Sequence, residues 1–280
     1  MAGTAEVVTS MDKLPGVTYQ VLVPNEKGLE SVLSLLAAHP DKPPIDEIAV
    51  FTAATDAFSL ANTNATVADS LKRLARVVRG ALDKGIRVRG YVSVVITCPY
   101  SGRVDYKSVR DVTRELLDMG CYEVSLGDTT GTGNPTSVGE MLNVTLGTNP
   151  VERLAGHVRS HTICVAPSVL KLKDIVPAFQ FHDTFGMGVA NSVAALSAGI
   201  RTLDSSIAGL GGCPYSPGAT GNVATEDILY ALQDSPYSAP GDLEALVDVG
   251  FWISEKLGRD NSSRVAKAIR ARRQREKPKL

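Results

Sequence analysis

Residues 122–131 read YEVSLGDTTG, and the reading of this stretch decides the fold. An apolar, β-branched run at 122–126 stops at a glycine, an acid and two hydroxyls, and residues 137–146 then carry helical periodicity. Strand, polar loop and helix in that order make a βαβ unit, whose helix returns the chain so that the next strand pairs in parallel. The pattern recurs. Strands are predicted at 19–23 (YQVLV), 47–52 (EIAVFT), 87–95 (RVRGYVSVV) and 202–207, and helices at 25–38, 65–84, 106–119, 225–233 and 242–257. Polar or small residues gather after strand ends: Thr52 to Asp56, Thr97 to Pro99, Gly127 to Thr129, His182 to Thr184 and Gly209 to Cys213. In a (β/α)8 TIM barrel such positions face the substrate, whereas a doubly wound sheet collects them at one switch point. The predicted class is therefore α/β, a TIM barrel. About six strands can be counted where a closed barrel needs eight, so the barrel is expected to be incomplete.

A chain of 280 residues with 44% hydrophobic residues fits one large α/β domain, predicted to span residues 1–258. A net charge of −1 gives no electrostatic case for a nucleic-acid partner. The one basic run, 264–279, reads as part of a solvated, frayed tail over 259–280. Cys98, Cys121, Cys164 and Cys213 lie far apart with no CxxC pair, which fits free thiols in a reducing compartment. No apolar run approaches the ~20 residues of a membrane span, and neither a signal peptide nor an Arg-rich presequence opens the chain. A soluble protein without a membrane partner is expected.

The densest chemistry lies at residues 206–227, SIAGLGGCPYSPGATGNVATED, with five glycines, Cys213, Asn222, Glu226 and Asp227. A thiol between Gly212 and Pro214 is poorly placed for core packing and well placed to meet a ligand on a pliable loop. Each residue also has a plainer reading. Cys213 could be a small apolar residue in a Gly/Pro turn, Asn222 a turn former, Asp128 a helix cap or Asx-turn, and His182 a structural imidazole. His39 reads as a helix-end residue.

The run SIAGLGGCPY closely resembles the signature loop of the 3-hydroxy-3-methylglutaryl-CoA (HMG-CoA) lyases, SVAGLGGCPY, with Ile207 in place of valine. CPYSG at 98–102 and CYEVSLGDTTG at 121–131 carry the same resemblance. It implies cleavage of HMG-CoA to acetyl-CoA and acetoacetate, as in leucine degradation and ketone-body formation. It also implies a divalent cation, Mg2+ or Mn2+, held by the aspartate of a GPRDG motif, two histidines of an HxH motif and the asparagine of a GN pair. By that resemblance His182, which opens HDTFG, and Asn222 are metal ligands. Cys213 becomes an acid or a lid thiol, Asp128 a group near the reactive centre, and Asn62, Asn64, Gly211 and Gly212 contacts to an acyl-CoA substrate. A homodimer in the mitochondrial matrix is expected on the same basis, with cytoplasm or peroxisome as alternatives.

The chain departs from the family pattern in two places. GPRDGLQNE and an ETTSF-like motif are missing, so the first two strands are expected to be absent and the start to be truncated. Gln180 stands where the first HxH histidine belongs, while LAGH at 154–157 resembles the sequence that should directly precede FHDTFG. Removing residues 158–180 would join them and restore His157 as metal ligand and proton-transfer group. The intervening segment begins with valine and ends with glutamine, residues whose codons can hold intron boundary bases, so it is expected to be translated intron; sequencing the transcript across it checks this. With these groups damaged, little activity is expected from the chain as written. The competing readings are a non-catalytic acyl-CoA-binding relative and an acetyl-CoA-condensing synthase of the same superfamily.

Overall fold

The computed structural model describes residues 3–147, 163–164, 166–167, 178–212 and 221–276. Helix α1 (Thr4–Ser10) is followed by β1 (Gln20–Leu22), α2 (Glu26–Ala38), β2 (Glu47–Ala53), α3 (Asp56–Thr63), α4 (Val67–Leu82) and β3 (Arg87–Ser93). A hairpin of β4 (Thr97–Cys98) and β5 (Gly102–Arg103) leads to α5 (Tyr106–Asp118), β6 (Glu123–Asp128) and α6 (Pro135–Leu146). Then come β7 (Ile163–Cys164), β8 (Ala166–Pro167), β9 (Ala178–Phe181), α7 (Gly188–Ser197) and β10 (Thr202–Asp204). A 3-10 turn at Ile207–Gly209, α8 (Thr225–Ala231), β11 (Tyr237–Ser238), α9 (Leu243–Leu257) and α10 (Arg264–Glu276) complete the order.

The main sheet runs β1-β2-β3-β6-β9-β10-β7. Its first six strands are parallel and stand in chain order. Sequential parallel strands with no reversal are the winding of a TIM barrel, not of a doubly wound sheet. β7 lies antiparallel on β10 at one edge and β1 forms the other, so the described sheet is an incomplete barrel.

Side chains along each strand alternate between two environments. Ile48, Val50, Val88, Val92, Val124, Leu126, Phe179 and Phe181 are buried and belong to one core with Leu74, Val77 and Val78 of α4, Val109 and Leu116 of α5, and Met141 and Leu142 of α6. Phe179 and Phe181 stack with ring centroids 4.2 Å apart. The helices start where the sequence supplies a cap. Asn25, Thr55, Thr66, Asp105 and Asn134 each accept a backbone N–H of the first turn, and Asn134 with Ser137 closes a reciprocal capping box ahead of Pro135.

The alternate strand positions form a polar network across the sheet. Gln20 and Tyr122 donate to Glu47 Oε1 at 2.8 and 2.9 Å, and Arg87 pairs with the other oxygen. Arg89 Nε donates to Glu123 at 2.6 Å and Nη1 to Asp204 at 2.9 Å. Thr202 and Ser125 complete the two carboxylates at 3.0 and 2.7 Å. Arg89 is only 2% exposed.

The helix predicted at 65–84 stands as α4, capped by Thr66, and a helix not predicted, α3, precedes it and ends at Asn64 in left-handed backbone (φ 51°). Two expectations change. Ala178, Phe179 and Gln180, the end of the segment predicted to be inserted, are the first three residues of the central strand β9; their apolar-polar alternation suits a strand. The basic run is not a frayed tail. Its residues up to 276 form α10, whose Arg273 pairs with Glu244 and Asp248 and whose Arg270 lies over Phe251. Among the described residues no helix is long and apolar enough to cross a membrane.

Candidate active site

The carboxyl ends of β6, β9 and β10 meet at one mouth of the sheet. On β9, Phe179 and Phe181 point into the core, so Gln180 and then His182 stand on the opposite face. Gln180 is in register with Gly127 on one side and Asp204 on the other. His182 is 5% exposed and forms an isolated antiparallel bridge with Asn222. Val223 N–H donates to Phe181 O at 2.9 Å and Asp183 N–H to Gly221 O at 3.2 Å, which lays residues 221–223 alongside the strand end. The asparagine and histidine singled out by sequence are thus neighbours, although 40 positions separate them.

Asn222 is fixed at both ends of its amide. Its Nδ2 donates to Leu210 O at 3.1 Å, and its Oδ1 accepts from Gln180 Nε2 at 3.0 Å. Gly211 (φ 109°) makes this possible, since a Cβ there would stand 2.6 Å from Asn222 Nδ2. Gln180, set aside as foreign sequence, therefore holds a central place in the site.

Asp128 ends β6 and is buried. Its Oδ2 accepts Gly133 N–H at 2.8 Å and its Oδ1 the Thr130 hydroxyl at 3.4 Å, so it shapes the turn ahead of α6. The cap of α6 is Asn134, which leaves Asp128 as a turn anchor rather than a helix cap. Burial pushes its carboxyl pKa up, and the N–H of Gly133 and the hydroxyl of Thr130 offset only part of this. A folded pKa above the unfolded one contributes stability that is full below the unfolded pKa, about 3.9, and is lost as pH rises through the folded pKa. Asp128→Asn keeps the acceptor and carries no charge. Its thermal stability relative to wild type is expected to be higher at pH 7 than at pH 3.5, and parallel melting curves across that range would expose a flat difference.

The loop at 206–212 leaves β10 through the turn at Ile207–Gly209. Ala208 sits there in left-handed backbone (φ 56°, ψ 15°), and both oxygens of buried Glu226 accept its N–H at 2.9 and 3.1 Å. Burial raises the Glu226 carboxyl pKa as well. Cys98, the last residue of β4, accepts the Thr55 hydroxyl at 3.2 Å. Burial works against its thiolate, but hydrogen bonds from Ser101, Thr55 and the backbone of Tyr100 and Ser101 outweigh it and lower the thiol pKa.

Cys213 and His157 lie outside the described residues, as does the 158–177 part of the predicted insertion apart from the backbone of β7 and β8. Asn64 is accounted for as the cap of α3, and Asn62 belongs to that helix's last turn; the structure ties neither to Asp128, His182 or Asn222. The sequence names Glu226 only as one of the acids of the loop and Gln180 only as a departure from the HxH motif; what each one holds emerges from strand register and loop packing.

The cation implied by the resemblance meets an incomplete donor set. The described donors are the imidazole of His182 and the neutral amides of Gln180 and Asn222, whereas Mg2+ and Mn2+ are held largely through carboxylate oxygens. Gln180 also aims an N–H at the Asn222 oxygen that would ligate. Among the described residues no group of three His, Cys, Asp or Glu could hold a metal. This set does not fit a divalent cation.

Comparison with known proteins supplies the family context. The HMGL-like family model matches residues 35–253. The chain is 45% identical over 276 residues to hydroxymethylglutaryl-CoA lyase of Pseudomonas mevalonii, covering 99% of this chain and 81% of the relative. It is 40% identical over 268 residues to the mitochondrial hydroxymethylglutaryl-CoA lyase of Bos taurus, covering 96% and 73%. The crystal structure of hydroxymethylglutaryl-CoA lyase from Pseudomonas aeruginosa superposes with a TM-score of 0.82 at 44% identity, covering 97% of this chain and 80% of that one.

Proposed function

Because the chain belongs to the HMGL-like family of hydroxymethylglutaryl-CoA lyases, we propose that its barrel mouth cleaves HMG-CoA to acetyl-CoA and acetoacetate. The reaction is a retro-Claisen cleavage. A base takes the 3-hydroxyl proton, the bond between C2 and C3 breaks, and its electron pair passes into the thioester as an enolate. The enolate carbon then takes up a proton to give acetyl-CoA, and C3 leaves as the ketone of acetoacetate.

The observation that carries this reading is the bridge between His182, at the end of β9, and Asn222, whose amide donates to Leu210 O of the glycine-rich loop. In this proposal His182 and Asn222 orient the hydroxyl and carboxylate end of the substrate, and Asp128 holds the turn that walls the site. Cys213 delivers the proton to the enolate carbon or shields it from water, His157 takes the hydroxyl proton, and Gly211 and Gly212 let the backbone close over the acyl chain. Of the implied cation, Mg2+ or Mn2+, His182 and Asn222 are the described donors, and no step is assigned to it. A mitochondrial location and a homodimer are proposed by resemblance alone.

The test is acetoacetate release from HMG-CoA by the purified 280-residue chain. Release above a buffer blank is expected. Acyl-CoA binding without any cleavage would favour the non-catalytic reading. Condensation of acetyl-CoA with a 2-oxo acid instead of cleavage would favour the synthase.

A further inference from the structure

Ala208 is held from two directions. Glu226 of α8 accepts its N–H, and the N–H of Ser262, just ahead of α10, donates to its carbonyl at 3.0 Å. The next residue of α8, Asp227, accepts the Ser263 hydroxyl at 2.5 Å and the N–H of Val265 at 2.9 Å, which caps α10 from another helix. The Ser263 hydroxyl also accepts Ala266 N–H at 2.9 Å. These contacts close a ring: Ala208 to Glu226, along the chain to Asp227, across to Ser263, back to Ser262 and onto Ala208 again.

The ring has no slack. Gly250 of α9 faces Glu226 so closely that a Cβ there would stand 2.5 Å from Oε1 and 3.0 Å from Asn261 Nδ2. A Cβ on Gly209 would stand 3.0 Å from the Ser262 Cβ. Asn261, 3% exposed, accepts Ser263 N–H at 2.9 Å and fixes the segment that delivers Ser262. A non-glycine residue in left-handed backbone persists only where its surroundings over-determine it. Here Glu226 and Ser262 do so, one on each side of the same residue.

Two residues beyond Ala208, the Leu210 carbonyl accepts Asn222 Nδ2. The turn geometry at Ala208 therefore sets where Leu210, and through it Asn222, stands against His182. We propose that Ser262 is a positioning residue: its N–H, delivered by the Asp227-capped start of the C-terminal helix, locks the Ala208 turn and so aims the 206–212 loop and Asn222 at the barrel mouth. The basic C-terminal helix then acts as a brace for the site. This rests on the reading that the loop serves the cleavage site.

The test is Ser262→Pro, which deletes the N–H that Ala208 O accepts and also fixes φ at 262 and restricts Asn261 before it. Amide exchange by mass spectrometry is expected to quicken at 207–210 and to stay unchanged at β2, β3 and α4. HMG-CoA turnover should fall in kcat by about 10- to 100-fold, the scale of an ångström-level misplacement, with KM little changed. Ser262→Ala keeps the N–H and is expected to restore both readouts. If Ser262→Pro fails to fold by circular dichroism, Ser263→Ala loosens the same ring at Asp227 and should quicken exchange at 207–210 along with the first turn of α10. Unchanged exchange at 207–210 in the folded variant overturns the proposal whether or not the wild-type chain turns over HMG-CoA. Absence of wild-type turnover counts against the cleavage reading alone, because the exchange measurement stands without it.

Discussion

Arg89→Met unfolds about 3–5 kcal/mol more easily than the wild-type chain at pH 7, measured by urea denaturation. Arg89 lies at 2% exposure between the carboxylates of Glu123 and Asp204, each 14% exposed. Methionine fills much of the same volume but leaves two like charges facing each other without their counter-ion. The penalty comes from those orphaned carboxylates, not from lost packing. Adding Glu123→Gln and Asp204→Asn to the same chain is therefore expected to recover most of the loss, since neutral groups of similar shape often replace a buried ion cluster at little cost. Glu123 also fixes the sign of the pH dependence. Burial raises its carboxyl pKa and Arg89 opposes that rise, so removing Arg89 lets it climb further. A raised folded pKa gives stability that is present at low pH and lost as pH rises through it. The deficit of Arg89→Met should thus shrink toward pH 4. A loss under about 1 kcal/mol at pH 7 would sink this account of the network.

The fold was legible because its signals are local. Short β-branched runs, caps such as Asn25 and Thr66, and polar residues after each strand are all read within a few positions, and the five strands predicted at 19–23, 47–52, 87–95, 122–126 and 202–207 are all present, β9 being the parallel strand that was missed. What failed depended on partners far along the chain. The alternation Arg87-Val88-Arg89 reads equally as a wet face or a polar lumen; only pairing with Glu123 and Asp204 decides it. The basic run at 264–279 looked like a solvated end because its anchors, Asp227, Glu244 and Asp248, carry no mark that links them to it. Asn222 and His182 were found through motif resemblance, and the structure brings them together. Gln180 was discounted by that same resemblance, since it breaks the motif, yet the strand register gives it a face and a partner.

That substitution leads to a sharp expectation: Gln180→His is expected to bind Mn2+ about 100-fold more tightly than the wild-type chain, read by electron paramagnetic resonance titration of free Mn2+. Residues 180 and 182 share one face of the strand end, so a histidine at 180 would offer a second imidazole next to His182. It would also remove the Gln180 N–H that now occupies Asn222 Oδ1 at 3.0 Å, freeing a hard oxygen for the ion. Room exists, because Gly127 across the sheet has no side chain and even a Cβ there would stay 3.8 Å from Gln180 Oε1. Losing merely an outer partner of a metal ligand typically changes affinity 10- to 100-fold, so gaining a direct ligand while releasing a second should reach the upper end. Gln180→Leu serves as the control: it frees Asn222 without adding a donor, and a small gain at most is expected. Equal Mn2+ affinity in wild type and Gln180→His would mean that position 180 does not face the ion. A tight wild-type site would mean instead that donors beyond Gln180, His182 and Asn222 already complete it.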